Sequence, residues 1–168
     1  MEKWGDKPYH SLDYENKKRF GEKVYKISLA GGTTCPNRDG TLGTRGCCFC
    51  SGSGSGDFAA TKGSITEQIE EAIARVSRYK NAGHLFTAYF QSFTATYAPV
   101  ETLRTAWEEA MAHESVATLA IATRSDCLGD DVLSLLADCC RKIPVTVELG
   151  LQTIHPDTIR YIRRGYPN

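Results

Sequence analysis

Four of the chain's seven cysteines lie within one short segment, CPNRDGTLGTRGCCFC, at residues 35–50. Cys47 and Cys50 form a C-x-x-C pair, a spacing that can place two thiolates on one metal ion or cluster. The glycine-rich loop between Cys35 and this pair can bring a third thiolate to the same place. Cys48 is separated from Cys50 by a single residue and suits chelation less well. The segment therefore predicts a metal site with three cysteine ligands, Cys35, Cys47 and Cys50.

The number of thiolates restricts which metal group this segment can hold. A structural zinc site takes four ligands, and a 4Fe–4S cluster usually takes four cysteines. With three cysteines, one iron of a cluster keeps an open position that can bind and activate a further ligand. The ligand count favours a cluster, while a zinc site and unliganded thiols stay open as alternatives.

Composition and charge exclude several classes of protein. The chain carries 20 basic and 20 acidic residues, so it lacks the broad positive field of a dedicated nucleic-acid binder. No apolar run approaches the roughly 20 residues that span a bilayer, and the N-terminus has no apolar segment like that of a signal peptide. We therefore expect a cytoplasmic protein without membrane contact, whose thiols stay reduced. The remaining cysteines, Cys127, Cys139 and Cys140, are predicted to be small core or surface residues.

Strands alternate with helices through most of the chain. The residue patterns predict strands at residues 23–30, 84–91, 116–123 and 143–153. They predict helices at residues 64–80, 100–113 and 129–142, a helix that starts behind Pro156, and a short helix at residues 11–19. This order is typical of an α/β fold with a parallel sheet. It places the cysteine loop, residues 31–63, after the first strand, at the edge of the sheet where sites collect in such folds.

Four β/α units are compatible with two architectures. A parallel sheet needs both faces covered, and a barrel needs further strands to close its edges. The units form either a small open sandwich of the flavodoxin type or the first part of a larger barrel whose remainder is absent.

The segment GEKVYKISLAGGTTCPNRDGTLGTRGCCFC resembles the N-terminal part of the YhcC-like radical S-adenosylmethionine (SAM) proteins, which are distantly similar to the Elongator-type radical enzymes. The motifs YFQSFTATYAP, ATRSDCL and ELGLQTIH extend the resemblance over nearly the whole chain. It implies parallel (β/α) repeats that form the N-terminal portion of a partial TIM-like radical SAM barrel, truncated before its C-terminal part. Residues 1–22 are then an N-terminal extension, and residues 23–168 are the radical SAM core.

The same resemblance implies a cofactor chemistry. Cys35, Cys47 and Cys50 would ligate a 4Fe–4S cluster whose open iron chelates SAM, and reductive cleavage of SAM would give a 5′-deoxyadenosyl radical. Six further positions are similar to those that contact SAM in related enzymes: Gln91, Ser92, Arg124, Glu148, Gln152 and Arg164. Glu148 and Gln152 are expected to share one face of the fourth strand because of their even spacing. Arg38 and Arg45 are predicted either to offset the charge of the cluster or to be solvated.

The resemblance also implies an electron donor of the flavodoxin or ferredoxin type. It leaves RNA open as a substrate and assigns neither the substrate nor any catalytic residue. Two alternatives remain beside a radical SAM enzyme: a zinc-stabilised, non-catalytic binding module, and a fragment that binds the cluster without turnover.

Overall fold

The computed structural model describes residues 3–168, so residues 1 and 2 of the predicted N-terminal extension lie outside the described residues. The helices are α1 (Leu12–Phe20), α2 (Ile65–Ser77), α3 (Val100–Ala112), α4 (Asp130–Cys140) and α5 (Pro156–Ile162). The strands are β1 (Tyr25–Leu29), β2 (Phe86–Phe90), β3 (Val116–Thr123) and β4 (Val145–Leu149). Every predicted helix and strand is therefore present in the predicted order. Within residues 3–168, no helix is both long and apolar enough to cross a membrane.

The four strands form one parallel sheet in the order β1-β2-β3-β4. Neighbours in sequence are thus neighbours in the sheet, and each β/α unit adds one strand on the same side of the previous one. A flavodoxin-type sheet instead reverses its strand order at a switch point. The α/β class and the parallel sheet are confirmed, whereas the flavodoxin-type interpretation does not fit this strand order.

One face of the sheet carries the hydrophobic core. Alternate strand residues such as Ile27, Phe90 and Leu119 are almost fully buried, and they pack in a single cluster with residues of α2, α3 and α4. Trp107 of α3 is 1% exposed and belongs to this cluster, as its helical position predicts. The intervening strand residues, among them Lys26 and Tyr89, point to the opposite face and are polar apart from alanines of β3. The core thus leaves one face of the sheet free for polar groups.

The ends of the elements depend on local chemistry. Ser64 caps α2 with the predicted capping box, because its hydroxyl accepts from the Glu67 N–H while the Glu67 carboxylate accepts from the Ser64 N–H. The fourth strand is shorter than predicted and ends at Leu149. Gln152 lies beyond it with a φ of 68°, so its expected place on the same strand face as Glu148 is wrong. The Gly150 N–H donates to the Thr123 carbonyl as the last bond between β3 and β4, and the chain then turns, with the Leu151 N–H donating to the Leu149 carbonyl.

Candidate functional site

A cavity of about 330 Å³ lies beyond the carboxyl ends of the four strands. Eight of the nine predicted site residues line it: Cys35, Cys47, Cys50, Gln91, Arg124, Glu148, Gln152 and Arg164. They come from the long cysteine loop and from the segments at the ends of β2, β3, β4 and α5. The fold therefore brings together residues that lie up to 129 positions apart (164 − 35 = 129).

Ser92 is the predicted residue that does not line the cavity. Its side chain is buried beneath the SGSGSG segment at residues 51–56, where a Cβ added at Gly56 would lie 2.1 Å from the Ser92 Oγ. Gly54 of the same segment packs against Phe93 and has a φ of 59°. A Cβ added at Gly54 would lie only 2.3 Å from the Phe93 ring. The Phe93 N–H also donates to the Gly54 carbonyl at 2.8 Å. The glycines thus let this segment pack closely on the end of β2, unlike a flexible linker.

Local turns direct the cysteine side chains. The Cys35 carbonyl accepts from the N–H groups of Arg38 at 2.8 Å and Asp39 at 3.1 Å, which closes a turn behind the first cysteine. A second turn brings the Cys50 N–H within 3.2 Å of the Cys47 carbonyl. Cys48 between them is exposed and does not line the cavity. The predicted division of these cysteines into three that face one place and one that does not is present in the geometry.

Asn37 connects the cysteine loop to the end of α5. Its side-chain Nδ2 lies 2.8 Å from the Arg163 carbonyl and 2.9 Å from the Arg164 carbonyl, and it is 3.2 Å from the Cys47 Sγ. The side chain is buried, since Asn37 is 4% exposed. The sequence analysis missed this residue, because its partners lie 126 and 127 positions away in the chain.

The two thiols of the C-x-x-C pair differ in acidity. Hydrogen bonding to Cys47 is the largest cause that lowers the pKa of Cys50 to about 6, and the Ser55 hydroxyl and the positive charge of Arg38 lower it further. The same hydrogen bond, together with burial, raises the pKa of Cys47 above its ordinary value. The hydrogen bond between the two thiols therefore makes Cys50 the more acidic member of the pair.

Two arginines lie beside the thiols. Arg38 donates to the Cys50 and Ser51 carbonyls, and the Arg124 Nη1 lies 3.8 Å from the Cys35 Sγ. Arg124 is held in place by two hydrogen bonds to Asp126, at 2.9 and 2.8 Å. Burial would lower the pKa of Arg124, but the hydrogen bonds and charge of Asp126 outweigh it and raise the pKa. Arg38 therefore lies where the first of its two predicted roles would require, and the role itself stays a prediction.

Three thiols at one cavity form a donor set that suits thiophilic metals, and Cys35, Cys47 and Cys50 are the residues able to hold such a group. Among the side chains of residues 3–168, no three or more of the His, Cys, Asp and Glu types are already arranged around the position of one metal ion. In an iron–sulfur cluster, the cysteine thiolates bind the irons of the cluster, and the ligands need not converge on a single ion.

A charged network covers the polar face of the sheet next to the cavity. The Tyr89 hydroxyl donates to the Glu148 Oε2 at 2.8 Å, and the Lys26 ammonium donates to the other carboxylate oxygen. Burial would raise the pKa of Glu148, but these two hydrogen bonds hold it below its usual value. Burial and the bond to Glu148 raise the pKa of Tyr89 to about 12. Lys26 and Tyr89 were missed in the sequence, although their alternation with buried residues places them on this face.

Arg164 is buried at 2% exposure and borders the cavity. Its guanidinium donates to the Leu151 and Thr153 carbonyls, both at 2.8 Å, to the Tyr166 carbonyl at 3.1 Å, and to the Asn168 side chain at 2.9 Å. The side chain therefore holds the segment after β4 against the end of the described chain.

Comparison with known proteins identifies relatives over nearly the whole chain. The sequence is 44% identical to YtqA of Bacillus subtilis (strain 168) over 167 residues, which are 96% of this chain and 50% of that protein. It is 41% identical to YhcC of Escherichia coli (strain K12) over 150 residues, 89% of this chain and 47% of that protein. MJ0486 of Methanocaldococcus jannaschii is 32% identical over 154 residues, 89% of this chain and 46% of that protein. No protein-family model matches the sequence.

The chain is thus homologous to YhcC and its relatives, and it spans about half the length of the curated relatives it matches. The names of these relatives state no activity. The YhcC-like part of the predicted resemblance is confirmed, and the radical SAM part stays a prediction.

Proposed function

We propose that this chain is part of a radical SAM enzyme, in which Cys35, Cys47 and Cys50 bind a 4Fe–4S cluster and the adjoining cavity receives SAM. One observation carries the proposal: the three thiols, selected by their spacing alone, line one cavity at the carboxyl edge of a parallel sheet. That edge is where α/β folds build their sites. The homology to YhcC agrees with the resemblance on which the cofactor assignment rests.

When bound, a reduced cluster of this kind supplies the electron that cleaves SAM and yields a 5′-deoxyadenosyl radical able to abstract hydrogen from a substrate. The chain's own residues bind and orient. The positive charge of Arg38 lowers the pKa of Cys50, and the Arg124 Nη1 lies 3.8 Å from the Cys35 sulfur. Asn37 fixes the Cys47 side chain by donating to its sulfur.

Three features of the sheet support a partial barrel of the TIM type as the architecture of residues 23–168. The strands follow one another in sequence order, and the core packs helices α2–α4 on one face. Lys26 on β1 also reaches Glu148 on β4, although two strands lie between them. In a flat sheet β1 and β4 would lie about 14 Å apart, since neighbouring strands are roughly 4.8 Å apart. Side chains of Lys26 and Glu148 that stand upright on such a sheet would not bridge this distance. The contact between Lys26 and Glu148 therefore favours a sheet that curls toward its polar face, as a barrel wall does.

Anaerobic reconstitution with iron and sulfide tests the proposal directly. We expect the chain to take up both elements and to show the broad visible absorbance of an iron–sulfur cluster. Cys35→Ala, Cys47→Ala and Cys50→Ala should each lose it. Cys48→Ala is the matched control and should retain it, because Cys48 is exposed and does not line the cavity. Uptake of about one zinc and no iron would refute the cluster and support the zinc-stabilised binding module.

Turnover is tested separately from cluster binding. The reconstituted chain is incubated with SAM and a chemical reductant, and 5′-deoxyadenosine is measured. Production of 5′-deoxyadenosine that disappears in Cys35→Ala supports the enzyme. A stable cluster without 5′-deoxyadenosine supports the alternative of a fragment that binds the cluster only. A donor of the flavodoxin or ferredoxin type would replace the reductant in the cell, and the substrate is to be sought among the hydrogen-bearing compounds consumed in step with SAM.

A further inference from the structure

A second cavity, of about 200 Å³, adjoins the cysteine loop, and Gly46 lines both cavities. Two arginines that are far apart in the sequence line this cavity: Arg45 of the cysteine loop and Arg163 at the end of α5. The rest of the wall consists of small or neutral residues: Asn37, Leu42, Gly43, Thr44, Gly46 and Gly165. No carboxylate lines this cavity within the described part of the chain. It is therefore a local concentration of positive charge in a chain whose total charge is zero.

The two arginines lack the partners that other arginines of this region have. Arg160 on the same helix pairs with Asp157, and Arg164 donates to three backbone carbonyls. Arg45 and Arg163 form no ion pair with any carboxylate of residues 3–168. The Nε of Arg163 is buried without a hydrogen-bond partner among those residues. Buried donors are nearly always paired, so this group calls for an acceptor supplied by a ligand.

The backbone around the cavity is held in a fixed conformation. Asn37 donates to the Arg163 carbonyl at 2.8 Å, and Arg163 itself has a φ of 58°. The Cys48 N–H donates to the Ile162 carbonyl at 3.1 Å, which fastens the cysteine loop to the same helix end. The two guanidinium groups therefore belong to segments that are tied to each other, and a ligand does not have to bring them together.

We propose that this cavity binds a phosphate group, carried by a nucleotide or by a nucleic-acid strand. One guanidinium fork already matches the two oxygens of a carboxylate, whereas the additional oxygens of a phosphate can be shared between two guanidinium groups. Gly43, Gly46 and Gly165 line the cavity without side chains, and at Gly46 and Gly165 the space of a Cβ is filled by Arg38 and Asn37, which brace this wall. No cysteine of residues 3–168 lines this cavity, and phosphate binding there needs no iron. The proposal can therefore be tested independently of the proposed function.

Binding is measured on the purified 168-residue chain by titration calorimetry and by the amide NMR signals of Gly46 and Gly165. The probes are inorganic phosphate, adenosine monophosphate and a single-stranded RNA oligonucleotide. We expect phosphate-bearing probes to shift both signals and Arg45→Gln or Arg163→Gln to weaken the affinity about tenfold each, because each removes one charge-assisted contact. Arg160→Gln is the matched control: it removes the same charge from the same helix outside the cavity, and the affinity should not change.

The arms of the experiment separate the two sources of phosphate. Equal affinity for the nucleotide and the strand identifies a free nucleotide as the ligand, while tighter and more salt-sensitive binding of the strand identifies a nucleic-acid backbone. Both results support the site. Failure of all three probes to shift the two glycine signals overturns it, and so does binding that both arginine variants retain at full strength. Arg45 is exposed, so the Arg45→Gln result stays interpretable even if Arg163→Gln disturbs folding.

Discussion

Asn37 provides the sharpest test of how the cysteine loop is fixed to the rest of the fold. Its amide donates to two carbonyls at the end of α5 and approaches the Cys47 sulfur. Asn37→Ala removes the donor and leaves the Arg164 carbonyl buried without a partner, while the half-buried Arg163 carbonyl keeps only a weak 3.6 Å contact from the Cys47 thiol. An unsatisfied buried acceptor costs about 1–3 kcal/mol, so we expect a loss of about 2–4 kcal/mol in the free energy of unfolding.

The measurement is urea denaturation followed by far-ultraviolet circular dichroism. With a denaturant dependence of about 2 kcal/mol per molar urea, the loss corresponds to a midpoint lowered by about 1–2 M. Asn37→Asp should be at least as destabilising, because a carboxylate has the same shape but offers only acceptors to the two carbonyls. Asn81→Ala, at an exposed asparagine, is the control and should leave the midpoint unchanged.

The comparison between the two substitutions at position 37 shows whether the lost donor or the lost volume of the side chain causes the destabilisation. If Asn37→Asp were as stable as the wild type, the donor would not matter and the side chain would act only by filling space. If Asn37→Ala and Asn81→Ala gave the same midpoint, the link between the loop and α5 would contribute nothing to stability, and the reasoning would be wrong.

Three further results are expected. Gly54→Ala should destabilise the chain, because the new Cβ would meet the Phe93 ring at a positive φ, and Phe93→Ala should relieve part of that loss in the double variant, as measured by thermal unfolding. Without metal at pH 7, iodoacetamide should alkylate Cys50 faster than Cys47, and the rate of alkylation at Cys50 should rise through a pH of about 6. Mass spectrometry measures the two rates, and the reverse order would contradict the relative acidities of this pair. Trp107→Ala should cost about 3–5 kcal/mol in urea denaturation, since it empties the centre of the core, and a loss under 1 kcal/mol would show that the site collapses around the gap.

The sequence was sufficient for the order of the elements because their signals are local. The apolar stripe of α2 and its Ser64 cap lie within a few residues of each other, and so does the alternation along each strand. The fourth strand was extended too far because apolar residues continue to Leu151 and Ile154. Both are exposed in this structure, so their hydrophobicity does not report a strand.

The site was predictable only where a single segment carried the pattern. The spacing of the three cysteines lies in one loop, and they do line one cavity. Contacts that join distant segments left no local signal: Asn37 meets carbonyls 126 and 127 residues away, and Lys26 meets Glu148 across two intervening strands. Such pairs depend on how the strands and the loop are placed relative to each other in the folded chain, which no short window of sequence contains.

The hydrogen bonds within residues 3–168 distinguish the polar groups that are free to bind a ligand from those already engaged. Glu148 has a donor on each carboxylate oxygen, Arg124 is bonded twice to Asp126, and the Arg164 guanidinium donates four hydrogen bonds. These three side chains are already oriented by protein partners, and a ligand could reach only their remaining lone pairs and N–H groups. The Gln91 amide keeps its NH₂ group available, because its only side-chain contact is a 3.5 Å bond accepted by its oxygen, and the Gln152 side chain makes none. Direct ligand contacts are therefore expected first at Gln91 and Gln152, while the charged residues hold the walls of the cavity in place.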